Sequence, residues 1–316
     1  MLPEITVIIP YYNESESIEM TLELIASQTL KPVIAILVNS SSTDNCSQII
    51  DEWISQYQGP IKFLNIFKSS NTPSSSKNIG IKISTTPWVA FMDCGLVFQK
   101  EWLELQWKYL TEHTDCNWVS GVCYFKGVGV IDQCAVAHTY GYERKRPTMP
   151  TSLIKKELFN RFGLFLENRR AGYDAAWPLL LSRNGIKRGI NFDVIIKYER
   201  VNFGSTFAGI FRKSFDYNLP TVNMPYYYVP YYYLALFFLL IFAALLSPLW
   251  GLTFFLLIFL IRSFVLPAVK SQNFYLLKKG VNYWMIMPLV ALAIDSGRML
   301  GILRGTWKYH LSHIFE

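Results

Sequence analysis

Short apolar runs alternate with amphipathic stretches up to about residue 115 of the chain. Each run is rich in β-branched or aromatic residues and stops at a polar residue or a proline, which is typical of buried strands. The runs predict strands at about 5–10, 33–38, 61–67 and 88–93. The stretches between them have a helical period and predict helices at about 15–28, 44–57, 74–84 and 100–111. Short strands separated by helices predict an α/β fold with a doubly wound, mostly parallel sheet.

The pattern is less regular in the middle of the chain. Residues 116–131 are expected to form one or two further strands, and residues 138–150 a mobile loop. Residues 151–189 are predicted to be mostly helical, and 190–200 to include another strand. We therefore expect a globular domain over residues 1–220.

From about residue 221 to residue 316 the chain becomes strongly apolar and aromatic. Tyr231 to Leu246 carries no charge, and Leu249 to Ile261 is nearly as apolar. A helix that spans a membrane needs about 20 apolar residues. With their neighbours, the two stretches predict a transmembrane hairpin with helices at about 228–247 and 249–269. A third, short membrane or interfacial helix is expected at about 281–297, followed by a basic cytosolic tail.

Charges at the edges of the apolar stretches predict an orientation. Two cations precede the hairpin and three follow it, while its turn has none: Arg212, Lys213, Lys270, Lys278 and Lys279. The positive-inside bias then places both ends of the hairpin in the cytosol. Residues 203–217 are basic and amphipathic, and their place before the hairpin favours an interfacial helix, although a core helix has the same pattern.

The remaining composition narrows the class of protein. The net charge is +7, and cations cluster between residues 144 and 188. They suit either a solvated face or contact with anionic membrane lipids, and no nucleic-acid motif accompanies them. The five cysteines have no metal-ligand spacing, which favours a reducing compartment. A core strand begins at residue 5, so we expect no cleavable signal peptide. The expected location is the inner (plasma) membrane, multi-pass, with the globular domain in the cytosol.

Polar side chains follow the first two predicted strands at the point where each strand ends. Pro10 ends the first strand, Tyr11, Asn13 and Glu14 follow it, and Ser42-Thr43-Asp44 follows the second. Open α/β sheets bind ligands at the carboxyl ends of their strands, so these residues are expected at one site. Together the segments Pro-Tyr-Tyr-Asn-Glu and Ser-Thr-Asp resemble the nucleotide-sugar half of a family-2 glycosyltransferase of GT-A fold.

That resemblance implies contacts to the base and ribose of a nucleotide from Pro10 to Glu14 and from Asp44. Asp44 would also suit the N-cap of the next helix. The family's usual acidic pair in the second motif is replaced here by Asn39 and Ser40. The Asn39 oxygen can still accept a hydrogen bond from a base, but without charge, so the base stays open.

Two further segments extend the resemblance. Ser76-Lys77-Asn78-Ile79-Gly80 is similar to the family's Ala-Arg-Asn-x-Gly segment, which implies a nucleotide contact from Lys77 and support of the pocket by Asn78. Asp93-Cys94-Gly95 stands in place of the D-x-D motif, as in a branch that reads D-x-G before Trp-Leu-Glu, here Trp102-Leu103-Glu104.

The resemblance also implies a divalent metal. Asp93 would hold Mg²⁺ or Mn²⁺ against the diphosphate, since these hard cations favour oxygen ligands. Glu199 falls where many relatives place a metal-binding histidine and is the expected second ligand. The alternative for Asp93 is a strand-end aspartate that accepts hydrogen bonds from loop amides.

Gly172-Tyr173-Asp174 falls where the family has Glu-Asp, whose aspartate is the catalytic base. The resemblance therefore implies that Asp174 is the base. Asp174 opens a predicted helix, where the helix dipole is expected to lower the pKa of its carboxyl and keep it ionised. A plain helix N-cap is the alternative.

The resemblance, together with the apolar helices, implies a membrane-associated inverting glycosyltransferase of the hexosyltransferase type. Its donor would be a nucleoside-diphosphate sugar and its acceptor a lipid-linked or membrane-proximal molecule in bacterial-type surface-glycan assembly. One alternative is a polyprenyl-phosphate glycosyltransferase, with arginines between residues 144 and 170 on the lipid phosphate. Another is a catalytically degenerate GT-A domain that serves as a membrane scaffold or partner subunit, which Asn39 and Gly95 favour. The sequence also allows a homo-oligomer.

Overall fold

The computed structural model of the chain describes residues 2–67, 72–169, 172–201, 203–225 and 227–311, without the side chains of Glu199, Arg200 and Leu311. The chain divides into two compact units. The sheet unit consists of Met1–Cys123 and Lys145–Lys197, and the apolar unit of Tyr124–Arg144 and Tyr198–Glu316.

Within the described residues the sheet has eight strands: Ile5–Tyr11 (β1), Ile34–Asn39 (β2), Lys62–Phe67 (β3), Trp88–Phe91 (β4), Trp118–Gly127 (β5), Lys145–Pro147 (β6), Leu153–Lys155 (β7) and Gly189–Val201 (β8). Their order is β3-β2-β1-β4-β7-β5-β6, and β8 pairs with β5. β1 to β4 are parallel, whereas β7 is antiparallel to β4 and β5. The predicted, mostly parallel α/β sheet is confirmed.

The α-helices, in chain order, are Ile18–Ala26 (α1), Cys46–Gln56 (α2), Pro73–Ile83 (α3), Trp102–Glu112 (α4), Val130–Thr139 (α5), Glu157–Phe162 (α6), Tyr173–Arg183 (α7), Phe207–Asn218 (α8), Val229–Leu246 (α9), Pro248–Leu260 (α10), Leu266–Ser271 (α11), Tyr275–Lys278 (α12) and Val281–Thr306 (α13). The helices that follow β1, β2, β3 and β4 are α1 to α4, close to the predicted positions.

The middle of the chain differs from its prediction in two places. The segment 138–150, expected to be a loop, contains the end of α5, strand β6 and a 3-10 turn at Met149–Thr151. The segment 151–189, expected to be mostly helical, contains β7 as well as α6 and α7. Strands of three residues are too short for an alternating pattern to appear in the sequence.

One aromatic cluster of the sheet unit sets the position of α7. The rings of Phe159 and Trp177 stack with centroids 4.4 Å apart, and Phe165 packs edge-on against both. The indole N–H of Trp177 donates to the carbonyl of Gly163 at 2.8 Å. Burial of this cluster fixes one face of α7. The N-terminus of α7 therefore lies near the carboxyl ends of the parallel strands.

In the described part of the apolar unit, three helical segments are long and apolar enough to cross a membrane: Val229–Leu246, Pro248–Ser271 and Val281–His310. The first two expose large apolar side chains, among them Leu245 at 80% and Leu249 at 72%. The third is more buried, because α13 packs against α5 and α8. These helices indicate association with a membrane.

A charged cluster lies among the apolar helices. The Asp295 carboxylate accepts hydrogen bonds from Arg262 at 2.6 Å and from Arg298 at 3.4 Å. Arg298 also donates to the hydroxyl of Tyr233. Charged groups among apolar helices need such partners because lipid offers none. The cluster therefore joins α9, α13 and the π-helical turn Ile261–Val265.

Three glycines spaced four residues apart let α13 approach α8 closely. A Cβ added at Gly301 would lie 2.5 Å from the backbone oxygen of Phe215. Cβ atoms at the other two would also meet backbone oxygens of the 211–219 segment: Gly297 against Phe211 and Gly305 against Leu219. Small residues at this spacing allow helix backbones to pack directly against each other.

Replacing Gly301 with Ala should therefore destabilise the apolar unit by about 1–3 kcal/mol, the usual cost of overpacking. The thermal unfolding midpoint of the full chain in detergent measures the loss. The matched control is Gly129→Ala, where an added Cβ meets no atom within 4 Å and the backbone is extended. Equal midpoints for the two variants would contradict the close approach of α8 and α13.

Candidate functional site

The loops that follow β1 and β2 are joined by side chains of the two predicted motifs. The backbone N–H of Asn13 donates to Ser42 Oγ at 3.0 Å, and Asn13 Oδ1 accepts from the N–H of Thr43 at 2.8 Å. Asp44 Oδ2 accepts from the N–H of Ser15 at 3.0 Å. Neighbouring parallel strands end at the same edge of a sheet, which brings the two loops together. Asn13 and Asp44 thus shape this edge through backbone contacts.

Asp44 also contacts the start of α2, as the N-cap alternative predicts. Its Oδ1 accepts from the N–H of Cys46 at 3.3 Å. Burial raises the pKa of Asp44, but the hydrogen bonds from Cys46 and Ser15 together lower it by more. The net pKa of Asp44 is therefore below its usual value. The carboxylate is therefore ionised and committed to the backbone.

Two residues predicted to contact a nucleotide are buried supports of the same edge. Tyr11 is 2% exposed and donates its hydroxyl to Asn65 at 2.8 Å. Burial raises the pKa of Tyr11 to about 12. Asn39 is also 2% exposed, and its Oδ1 accepts from the N–H of Ser42 at 2.7 Å. The motif did not single out Tyr12, which is 48% exposed and presents an aromatic ring at this edge.

A buried lysine holds the aspartate that follows β4. Lys77, in the first turns of α3, is 1% exposed, and its Nζ lies 2.9 Å from Asp93 Oδ1 and 3.1 Å from the hydroxyl of Tyr173. Burial lowers the pKa of Lys77, but the Asp93 carboxylate and Tyr173 raise it above its usual value. The ammonium is therefore permanently charged and orients Asp93, whose side chain remains 40% exposed.

The Asp-Cys-Gly turn needs its glycine. Gly95 has a φ of +76°, and a Cβ there would lie 3.2 Å from Ser17 Oγ and 3.4 Å from Glu14 Oε2. Its N–H donates to Thr21 at 3.2 Å, which ties the turn to α1. A second acid at position 95 would thus be strained. Glu14 instead brings a carboxylate beside the turn.

Helix α3 also positions the start of α7. Asn78 donates to the carbonyl of Phe165 at 2.8 Å and accepts from its N–H at 3.0 Å. The hydroxyl of Ser75 accepts from the N–H of Asn168 at 3.1 Å. These bonds hold the segment that leads to Tyr173 and Asp174. The Ser-Lys-Asn-Ile-Gly segment therefore links Asp93 to the start of α7.

Asp174 is solvent-accessible at the wall of a cleft of about 950 Å³. The surrounding protein desolvates its carboxyl and raises the pKa, while the Lys77 ammonium acts in the opposite direction. The net pKa is above the usual value. The hydrogen bonds at the helix start do lower the pKa of Asp174, but desolvation outweighs them, so the expected net lowering is wrong. A higher pKa makes the carboxylate a stronger base.

Only part of the predicted metal site can be placed. The Asp93 carboxylate offers oxygen to a cation at the edge of the sheet, which fits Mg²⁺ or Mn²⁺ when a ligand supplies the other oxygens. Glu199 belongs to β8, but its side chain lies outside the described residues. No group of three or more His, Cys, Asp and Glu side chains capable of holding a metal occurs in the described part of the chain.

The fold and this edge define a GT-A type of α/β domain. Residues 6–172, more than half of the chain, match the family model "Glycosyl transferase family 2". The chain therefore belongs to glycosyl transferase family 2.

Similar proteins include an uncharacterized glycosyltransferase of Rickettsia bellii, 29% identical over 204 residues, which cover 57% of this chain and 27% of the relative. The poly(ribitol-phosphate) β-N-acetylglucosaminyltransferase TarP of Staphylococcus aureus is 27% identical over 157 residues, which cover 49% of this chain and 42% of TarP. The chain thus spans less than half the length of either relative.

A solved structure shares the fold over nearly the whole chain. The mannosyltransferase PcManGT from Pyrobaculum calidifontis, in complex with GDP-Man and Mn²⁺, aligns with a TM-score of 0.59 and 17% identity. The alignment covers 98% of this chain and 89% of PcManGT. At this identity the likeness establishes the fold alone.

Proposed function

We propose that the protein is an inverting glycosyltransferase that moves a single sugar from a nucleoside-diphosphate sugar to a lipid-linked or membrane-proximal acceptor. The observation that carries the proposal is the hydrogen-bonded group of Lys77, Asp93 and Tyr173 at the strand ends of the sheet unit, with Asp174 next to Tyr173 in the chain. The acceptor would belong to bacterial-type surface-glycan assembly, either a polysaccharide or a lipid-linked oligosaccharide. The family match and the transferase activity named for TarP support this reading.

In the proposed reaction the acceptor hydroxyl attacks the anomeric carbon of the donor sugar. The new bond joins the acceptor oxygen to that carbon, and the bond from the carbon to the diphosphate oxygen breaks. Asp174 takes the proton of the attacking hydroxyl. The raised pKa of Asp174 supports this role, because the carboxylate binds a proton more readily than an ordinary aspartate.

Asp93 would face the diphosphate that leaves. The buried Lys77 binds Oδ1 of Asp93 and fixes the orientation of the Asp93 carboxylate. The exposed part of that carboxylate can then face a ligand. Asp93 would hold Mg²⁺ or Mn²⁺, with Glu199 as the proposed second ligand, and a cation there supplies positive charge to the diphosphate. The nucleotide itself would lie on the edge formed by Pro10, Tyr11, Asn13 and Glu14, Asn39 and Asp44, with Lys77 supporting the pocket and Tyr12 as an added aromatic contact.

The apolar helices support a location of the protein at a membrane. We propose the predicted arrangement: a hairpin formed by α9 and the helices that follow it, both ends in the cytosol, and α8 as an interfacial helix before it. The catalytic domain would then face the cytosol at the inner membrane and reach acceptors held by lipid. This corresponds to a membrane-anchored branch of the family that reads D-x-G in place of D-x-D.

The test uses the full chain, purified in detergent with Mn²⁺ and a panel of UDP, GDP, dTDP and CDP sugars. We expect at least one nucleoside diphosphate to raise the thermal unfolding midpoint, because a bound ligand stabilises the folded state in proportion to its affinity. The matching sugar donor should be hydrolysed slowly and transferred faster when membrane lipid extract is added. Liquid chromatography of the released nucleotide measures both rates.

Two outcomes would contradict the proposal. A chain that binds no nucleotide and releases none from any donor is better described by the scaffold alternative. Transfer directly to polyprenyl phosphate, with no glycan product, would replace the proposed acceptor by the lipid phosphate itself.

A further inference from the structure

The cleft beside Asp174 extends far beyond the atoms that the proposed reaction needs. Its wall includes residues along the whole of α7, from Asp174 and Ala175 through Pro178 and Leu179 to Ser182. Helix α7 has 11 residues and is therefore about 16 Å long. The volume of about 950 Å³ is at the upper end of the range for ligand pockets. A cleft of this length suits an extended molecule.

Three cations line the cleft. The segment Gly185 to Gly189 contributes Lys187 and Arg188, and β6 contributes Arg146. Lys187 is paired with Asp115 at 3.0 Å. Two carboxylates, Asp115 and Asp174, line the cleft together with these three cations.

The environment of Arg188 favours the binding of an anion. Its guanidinium lies over the ring of Trp118, 5.1 Å from the centroid, and the side chain is half-buried. Among the described residues no carboxylate lies within ion-pair distance of it. Burial without a counter-ion lowers the pKa of Arg188. A guanidinium that loses water and gains no anion is unfavourable unless a ligand supplies the charge.

A second donor on the same wall lacks an acceptor. Trp118 is 1% exposed and lines the cleft, and its indole N–H has no hydrogen-bond partner among the described residues. An unpaired buried donor is unfavourable. Arg188 packs over the ring of Trp118, so an anion bound by its guanidinium would lie against this wall. Oxygens of a phosphate suit the planar fork of an arginine.

We propose that this cleft binds the acceptor through a phosphate on it, held by Arg188 where its guanidinium covers Trp118, with Arg146 as a further cation of the same cleft. The inference rests on the proposed transferase function, since it places the acceptor hydroxyl at Asp174. The phosphate can belong to a lipid pyrophosphate that carries the glycan or to a phosphodiester within the acceptor chain.

The experiment measures binding of three probes to the full chain in detergent, with the best-binding nucleoside diphosphate present to fill the donor site. The probes are a glycerol-phosphate oligomer, a polyprenyl-pyrophosphate disaccharide with a short lipid, and the same disaccharide without phosphate. At least one charged probe should bind about tenfold or more tightly than the neutral disaccharide. The charged probe that binds more tightly identifies the source of the phosphate.

Variants separate the cleft from general attraction to a basic protein. Arg188→Met should weaken the charged probe about tenfold and leave the neutral probe unchanged, whereas Arg188→Lys should keep part of the affinity. Lys108→Met is the matched control, because Lys108 is an exposed cation of α4 outside the cleft.

Cys116 lines the cleft, so the charged probe should also slow the alkylation of Cys116, measured by mass spectrometry, and leave the alkylation of Cys94 unaffected.

Unchanged affinity in the Arg188→Met and Arg146→Met variants, or equal affinity for charged and neutral probes, would overturn the inference. Nucleotide binding by the same variants confirms that they are folded. If the variants keep their affinity for the charged probe, or the two kinds of probe bind equally, while the chain binds nucleotide and transfers sugar, the proposed acceptor site is wrong and the transferase proposal stands. If no nucleotide binds to the unmodified chain, the proposed function fails and this inference fails with it.

Discussion

Asp174→Asn should reduce turnover by about 10²-fold or more, because the amide cannot take the proton of the acceptor hydroxyl. The substitution keeps the shape of the side chain at the start of α7. Affinity for the nucleotide should therefore remain within about twofold of the unmodified chain, since Asp174 is proposed to act on the acceptor rather than the donor. Turnover with the donor identified by the nucleotide panel and calorimetry with its nucleoside diphosphate measure the two quantities.

The pH profile gives the same residue a second test. A carboxylate base works when ionised, so the rate falls as the pH drops through its pKa. Because desolvation raises the pKa of Asp174 above the usual 3.8, the acid limb of kcat/KM should lie above that value. The small remaining activity of Asp174→Asn should lack this limb. Asp193→Asn, an exposed carboxylate of β8, is the matched control and should keep both the rate and the limb.

An Asp174→Asn variant that turns over at the normal rate would show that the base lies elsewhere or that none is needed. The second case points to a phosphate oxygen as the attacking group, because such an oxygen is already ionised. A lost rate together with lost nucleotide binding would instead indicate that Asp174 supports the donor pocket.

The elements of the first 110 or so residues are predictable because β1, β2 and β4 are largely buried on both faces and each helix has one apolar face. In β1 and β2 nearly every position is buried, so the apolar runs are continuous and their ends are clear. The strands β6 and β7 have no such signal. Lys145–Pro147 has no alternating apolar pattern, and its pairing depends on strands far away in the sequence.

The site is predictable in its location more than in the role of each side chain. Asn13 and Asp44 lie at the expected edge, but their hydrogen bonds to backbone N–H groups of the facing loop could not be derived from either segment alone. Lys77 sits in a polar helix start that gives no sign of burial. Its partners, Asp93 and Tyr173, come from distant parts of the chain and meet it only in the fold.

The cleft beyond Asp174 is harder still to foresee. Its cations belong to β6 and to the segment that follows α7, and the sequence shows them only as part of a basic cluster. That cluster suited a lipid-facing surface or a solvated face equally well. The place of Arg188 over Trp118 separates it from the other cations, and this contact depends on packing between residues 70 positions apart.

Asp93→Ala should remove activity and destabilise the sheet unit at the same time. Turnover should fall by about 10²-fold or more through loss of the group that faces the diphosphate. The variant also leaves the ammonium of Lys77, 1% exposed, without its counter-ion. Breaking a fully buried pair by removing one partner costs roughly 3 kcal/mol, and the cost here should be smaller because the Asp93 side chain is 40% exposed. Turnover and the thermal unfolding midpoint in detergent measure the two effects.

The double variant Lys77→Met, Asp93→Ala separates stability from chemistry. Methionine fills much of the space of the lysine stem without a charge, so the unfolding midpoint should recover most of the loss while turnover stays low. Glu167→Ala is the control for a removed partner at the surface, since its pair with Lys82 is exposed at 3.6 Å and should contribute little. Normal turnover in Asp93→Ala would contradict the proposed site. A double variant as unstable as Asp93→Ala would contradict the view that the stranded charge of Lys77 causes the loss.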